Sequence, residues 1–222
     1  VTDNVDITNV IEGAGGADTI EVRGNANVAN GVFGAGNGQD NSAAADEGDT
    51  IVIDTTGTVQ GVWGGDDQNI NDGVSGDRIT WSNGTIVDGI YGENGSDLVF
   101  VTASQYDGTQ ILDGGDDTLT TDGMIDVLTL DGITATINGG NIRNWEVLDL
   151  IDPEIEIIVD PEEPEIPVIQ TCNGSITLSG AGSVGEVLGC ISPDTIIVTD
   201  DVTISDVIEG AGGADTIEVT GN

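Results

Sequence analysis

Short apolar runs alternate with polar residues after a recurring Asp-x-apolar step. Examples are TIEV from Thr19, TIVI from Thr50, RITW from Arg78, LVFV from Leu98, VLTL from Val127 and TIIV from Thr195. Alternation of this kind puts successive side chains on opposite faces and predicts short half-buried strands. A second strand type ends on glycine: GVFG at Gly31–Gly34, GVWG at Gly61–Gly64 and GIYG at Gly89–Gly92. The order therefore cycles through strand, short polar turn, strand and Gly/Asp turn, in units of about 20–30 residues, some lengthened by polar insertions before the Asp. No segment holds a helical period, and glycine, at 35 residues, is too frequent for helices. A sandwich also uses short strands. Here the units resemble one another position by position, which favours an all-β, parallel β-solenoid with like residues stacked in ladders.

A longer repeat overlies this one. Val1–Asn25 aligns without gaps to Val198–Asn222, 197 residues later, with 20 of 25 positions identical. The chain thus holds one period of about 197 residues and the start of the next. Because it opens on Val, it reads as a window on a longer tandem array, with a separate subunit that has matching ends as the alternative. The regular pattern ends near Leu150. IDPEIEIIVDPEEPEIPVIQ follows, with Pro153, Pro161, Pro164 and Pro167. Clustered proline and acid predict an extended connector over 151–170. An edge strand is the other reading, because Ile155, Ile157 and Val159 alternate. The expected organisation is a solenoid domain over 1–150 with its start cut off, the connector, and the start of the next repeat over 171–222.

Charge narrows the partners. There are 41 Asp and Glu against three Arg or Lys, no His, and a formal net charge of −38. That argues against nucleic acid and anionic membrane surfaces and favours cations. No apolar run reaches membrane-spanning length, so direct membrane insertion is not expected. Without His, imidazole catalysis and His-ligated zinc are excluded. The two cysteines, Cys172 and Cys190, flank one Gly/Ser-rich segment. They suggest a local disulfide and an oxidising compartment; two buried free thiols are the alternative.

The repeated stretch contains G-A-G-G-A-D-T-I-E from Gly13, again from Gly210, with a related GENGSDLVF from Gly92. Glycines permit positive φ and let carbonyls converge, and the Asp adds a hard anionic oxygen. Calcium takes six to eight such oxygens in loosely fixed geometry. The bland alternative is a tight corner whose Asp caps backbone amides. The nonapeptide resembles G-G-x-G-x-D-x-U-x of the RTX (repeats-in-toxin) calcium-binding β-roll. That resemblance implies several calcium ions between turns of adjacent rungs. It places ligands at Gly13, Gly15, Gly16 and Asp18, at Gly92, Gly95 and Asp97, and at Gly210, Gly212, Gly213 and Asp215. Less complete copies add Asp40, Gly115 and Asp117. It covers about a quarter of the chain, and Ala14 and Glu93 occupy the second glycine place. NIRNWEVLDL is similar to end-of-repeat segments of bacterial surface solenoids, with Trp145 expected to close the last rung.

Asp66–Gly73 fails as an EF-hand, because Gly73 falls one place late and no Glu closes the loop; an irregular ion loop remains open there. Phe33, Trp63 and Tyr91 fall at equivalent places in three rungs and predict an aromatic ladder, with Val32, Val62 and Ile90 on the opposite face. Asn83, Asn94 and Asn173 match the glycosylation pattern. The expected function is that of an extracellular, calcium-stabilised structural repeat of a surface adhesin, surface layer or filament. Its expected partners are other copies of itself, and glycans or other cell surfaces. The alternatives are a glycan- or ice-binding module and a polysaccharide-modifying enzyme. The latter is disfavoured because no Lys, His or distinctive Tyr/Arg constellation accompanies the carboxylates.

Overall fold

The structure is a computed structural model that describes residues 1–34, 48–65, 76–93, 95–102, 104–115, 125–162 and 165–220. The described residues form strands throughout, with one short 3-10 turn at Gly139–Asn141 and no α-helix. Every strand pairing is parallel, in sheets of twelve, six and five strands. Successive passes of the chain stack on one another, an arrangement compatible with a β-solenoid. The period-two pattern explains the strands. In Thr50–Val59, Ile51, Ile53, Thr55 and Val59 are buried, while the residues between them face outward.

Stacking is in register, so like falls on like. In the first sheet Ile20, Ile51, Ile79, Val99, Leu128, Leu148, Ile169, Val187 and Ile208 form one ladder. In the second, Ile11, Val32, Val62, Ile90, Leu112 and Ile142 do the same. In the third, Ala135, Ile155, Ile176, Ile196 and Ile217 follow. The inward members make one continuous core. Each buried Ile or Leu contributes about 1.5–3 kcal/mol relative to exposure. Trp81 and Tyr106 are buried together, their rings 6.0 Å apart and edge-on.

Residues 151–170 are not an open connector. Glu154–Val159 pairs with Thr134–Asn138 on one side and Ser175–Gly180 on the other. Ile166–Cys172 pairs with Val147–Ile151 and Ser183–Leu188. The described prolines sit where no ladder N–H is needed: Pro153 just before a strand, Pro161 in a turn, and Pro167 ahead of the stretch paired to Val147–Ile151. The alternation of Ile155, Ile157 and Val159 thus outweighs proline content, and the strand is interior rather than an edge. Trp145 does not close the stack either. It is buried, its Nε1 donates to the Leu112 carbonyl at 2.9 Å, and further rungs follow.

Candidate functional site

The chemistry-bearing residues gather at one kind of corner, where a strand ends on glycine and the next begins after an aspartate. Asp18, Asp49, Asp77, Asp97 and Asp126 each precede a strand of the first sheet. They stand one above another, joined rung to rung by their own backbone. The Asp18 N–H donates to Asp49 Oδ1 at 2.6 Å, Asp49 N–H to Asp77 Oδ1 at 2.6 Å, and Asp77 N–H to Asp97 Oδ1 at 2.6 Å. Asp97 N–H donates to Asp126 Oδ1 at 2.7 Å, and Asp126 N–H ends the series on Glu146 Oε2 at 2.7 Å. Each aspartate carbonyl also accepts from the first strand residue of the next rung, as Asp77 does from the Leu98 N–H at 2.8 Å. Asp49, Asp77, Asp97 and Asp126 are at most 2 % exposed. A shorter ladder occupies the C-terminal rungs, where the Asp194 N–H donates to Asp215 Oδ1 at 3.1 Å.

The glycine completes the corner. A Cβ on Gly34, Gly64 or Gly92 would lie 2.4, 2.3 and 2.3 Å from Oδ2 of Asp49, Asp77 and Asp97. It would also meet the carbonyl of the glycine one rung on, at 2.1, 2.6 and 2.3 Å respectively. Gly13 over Asp18 and Gly210 over Asp215 repeat the contact at 3.0 and 2.7 Å. The carboxylate therefore sits against a bare Cα, and any side chain there would evict it. The second place of the nonapeptide is left-handed, with φ of 75° at Ala14, 75° at Glu93 and 61° at Ala211. Glycine would adopt that conformation without strain.

The nonapeptide singles out Asp18, Asp97 and Asp215 and does not reach Asp49 or Asp77. The structure places Asp18, Asp49, Asp77 and Asp97 in one ladder. The signal that could have found them was the glycine ending GVFG and GVWG, paired with the next Asp-x-Ile across insertions of unequal length. Asp40, Asp117, Asn94 and the Asp66–Gly73 loop lie outside the described residues. Gly15 is exposed and a Cβ on Gly212 would meet nothing closer than 3.8 Å, whereas Gly16, Gly95, Gly115 and Gly213 supply positive φ.

The carboxylates run in single file, one per rung, with Oδ1 of Asp49, Asp77, Asp97 and Asp126 each accepting from a backbone N–H of the neighbouring rung. Among the described residues no group of three acidic or cysteine side chains is arranged to hold a metal. Calcium needs six to eight converging oxygens. The described corner fits a hydrogen-bonded lock better than a coordination sphere.

Two further features flank the corners. Phe33, Trp63 and Tyr91 stack ring on ring, with centroids 4.6 and 5.4 Å apart and planes within 7°. Val32, Val62 and Ile90 beside them are fully buried. The Trp63 ring lies over Gly31 and Gly61, whose Cβ positions fall 2.5 and 2.4 Å from it. Both faces of the indole are thus covered by neighbours. Desolvation, with Asp88 second, raises the Tyr91 hydroxyl above its ordinary pKa. Along the same outer row, Arg143 pairs with Asp113 at 2.7 Å. The cysteines form a disulfide, with Cα atoms 5.2 Å apart. Cys190 belongs to a Gly/Asp corner itself, since its N–H donates to Asp194 Oδ2 at 2.9 Å. The bridge fastens that corner to the rung below. No protein-family model, characterised protein or solved structure matches the chain.

Proposed function

We propose that this chain is a structural module: an extracellular rod segment of a surface adhesin, surface layer or filament, extended by stacking further copies end to end. One observation carries the reading. Like residues stack in register through nine successive rungs, from Ile20 to Ile208, and the sequence of the first rung returns 197 residues later. A stack of this kind grows by adding further rungs in the same register. The Cys172–Cys190 bridge supports an oxidising, extracellular setting. Trp63 supports a structural role too, because a ring held between Phe33 and Tyr91 offers neither face to a sugar.

Sedimentation and electron microscopy of the 222-residue chain over a range of concentrations test the proposal. Rods that lengthen with concentration are expected. Ile217→Asp with Val219→Asp should abolish them, whereas Ile191→Asp, at a position 89 % exposed in a turn, should not. A wild-type chain that stays monomeric throughout refutes the reading.

A second reading retains calcium at the Gly/Asp corners as a stabilising ion, favoured by the net charge of −38 and the nonapeptide. It requires the melting temperature to fall on adding a chelator.

A further inference from the structure

A surface strand of this fold should carry apolar residues inward and polar ones outward, as Thr19–Gly24 does with Thr19, Glu21 and Arg23 outward. The middle of the first sheet departs from this. Leu98–Val101 is apolar on both faces: Val99 and Val101 are buried, while Leu98 is 43 % exposed and Phe100 faces outward beside it. In register with Leu98, the outward positions of the next three rungs are Val127, Val147 and Val168, all partly exposed. Strands apolar on both faces belong to sheets covered on both sides. A contiguous apolar patch left on a surface marks an interaction site.

Charge at the two ends of the stripe says what covers it. The rung before Leu98 puts Arg78 in the same row, and the rung after Val168 puts Glu186 there. The row runs from Arg78 through four apolar residues to Glu186, over about 24 Å at about 4.8 Å per rung. The protein has three cationic side chains against 41 acidic ones. Arg23 pairs with Glu21 and Asp54, and Arg143 pairs with Asp113. Arg78 is exposed and makes no ion pair among the described residues. A single cation at one end of an apolar row, with an acid at the other end, complements the same row reversed.

We infer that this face pairs with the same face of a second copy, the two stacks lying side by side and running in opposite directions. A two-fold axis along the strands, between the Val127 and Val147 rungs, reverses the rung order and keeps each row facing itself. Arg78 then meets the partner's Glu186 at both ends, Leu98 meets the partner's Val168, and Val127 meets the partner's Val147. In the adjoining row Asp149, whose carboxyl desolvation already pushes above its ordinary pKa, comes opposite the partner's Thr129, a hydroxyl donor. Opposite charges at the rim set direction and register more than affinity. Stacks running the same way would bring Arg78 to the partner's Arg78 and leave it single. All six rungs lie inside the chain, so the pairing is independent of how the stack is extended at its ends. The face is small: about 24 Å by 16 Å is roughly 400 Å² a side, half of what a standard complex buries. One chain therefore pairs weakly, and several periods in line pair more strongly because each adds its own contact.

Charge exchange in the full chain tests the pairing. Ile217→Asp with Val219→Asp serves as the background, so that end-to-end growth does not enter the measurement. Sedimentation equilibrium should show a reversible dimer within about 0.01–1 mM, the range a small face supports. Arg78→Glu and Glu186→Arg should each weaken it about tenfold or more, because each turns both rim pairs into like charges. An equimolar mixture of the two variants should regain the original association, because every rim pair then joins Glu to Arg. Glu186→Arg also makes the chain less acidic, so general charge repulsion predicts the reverse for that variant. Tighter self-association of Glu186→Arg, or no recovery in the mixture, overturns the pairing. So does a chain that stays monomeric to about 1 mM; a Tm lowered by Leu98→Asp in that monomer would show the stripe covered from within the chain. None of these results bears on whether rods lengthen end to end.

Discussion

Glycine at the head of the corner is where the structure makes its sharpest demand, and Gly92→Ala tests it. The backbone at Gly92 is not left-handed, so alanine meets no conformational objection there. The objection is steric. The new Cβ falls 2.3 Å from Asp97 Oδ2 and 2.3 Å from the Gly114 carbonyl of the next rung. Either the rungs separate or the carboxylate leaves its seat. Overpacking of this kind costs about 1–3 kcal/mol. Moving the carboxylate also strips Oδ1 from the buried Asp77 N–H, a further 1–3 kcal/mol or so. Alanine returns about 0.4–1 kcal/mol through the unfolded chain. The net is a loss of about 2–5 kcal/mol, or roughly 5–15 °C in Tm for a chain of this size. Gly212→Ala, in the same motif, is the control. Its Cβ meets nothing closer than 3.8 Å, so the unfolded-state gain stands alone and stability should hold or rise slightly. Thermal and urea unfolding followed by far-ultraviolet circular dichroism compares them. If Gly92→Ala melts with the Gly212→Ala protein, the glycine–carboxylate seat is not what closes the corner.

Trp63→Ala removes two ring stacks, each worth about 0.5–1.5 kcal/mol beyond buried area; it should lower urea stability clearly, with Trp63→Phe keeping most of it. Tyr106 is buried, its hydroxyl has no hydrogen-bond partner among the described residues, and desolvation, with Asp107 second, raises its pKa. Because the folded pKa lies above the unfolded value, the associated stability is full below about pH 10 and lost as pH rises beyond it. Tyr106→Phe should therefore flatten the alkaline limb of a stability–pH curve and cost nothing at neutral pH; an unchanged limb contradicts this. Replacing Cys172 and Cys190 by serine removes a bridge with a sequence separation of 18, worth about 3 kcal/mol by chain entropy. Hydrogen exchange should show Ser183–Leu188 and Thr195–Val198 losing protection before Thr50–Val59 does.

The strands were legible because period two survives in even the shortest runs. The aromatic ladder was legible because Phe33, Trp63 and Tyr91 each sit between glycines. Residues 151–170 misled because proline content describes the chain locally, whereas Glu154–Val159 is set by neighbours on both sides. Membership of Asp49 and Asp77 in the corner ladder was hidden by spacing. Gly34 and Asp49 are fifteen apart and Gly64 and Asp77 thirteen, while Gly92 and Asp97 are five apart. A nonapeptide template cannot see a corner whose two halves are so far apart in sequence.

The aspartate ladder sets two effects of similar size against each other. A hydrogen bond to a charged group contributes about 1.5–3 kcal/mol. Two charges one strand spacing apart, about 4.8 Å, repel by about 3 kcal/mol at an effective dielectric of 20. Asp49, Asp77 and Asp97 each have such neighbours on both sides, so the lock and the repulsion nearly cancel and the surroundings decide. With a net charge of −38, monovalent salt should raise Tm by screening the exposed carboxylates. It should do little for the buried ladder, which ions in bulk water reach poorly. Calcium chloride and sodium chloride compared at equal ionic strength separate the cases. If corners that are only hydrogen-bonded locks explain the protein, the two salts give the same Tm. An additional rise with calcium, reversed by chelator, means that the ion enters the corners and that the described file of carboxylates is completed by oxygens from elsewhere in the chain.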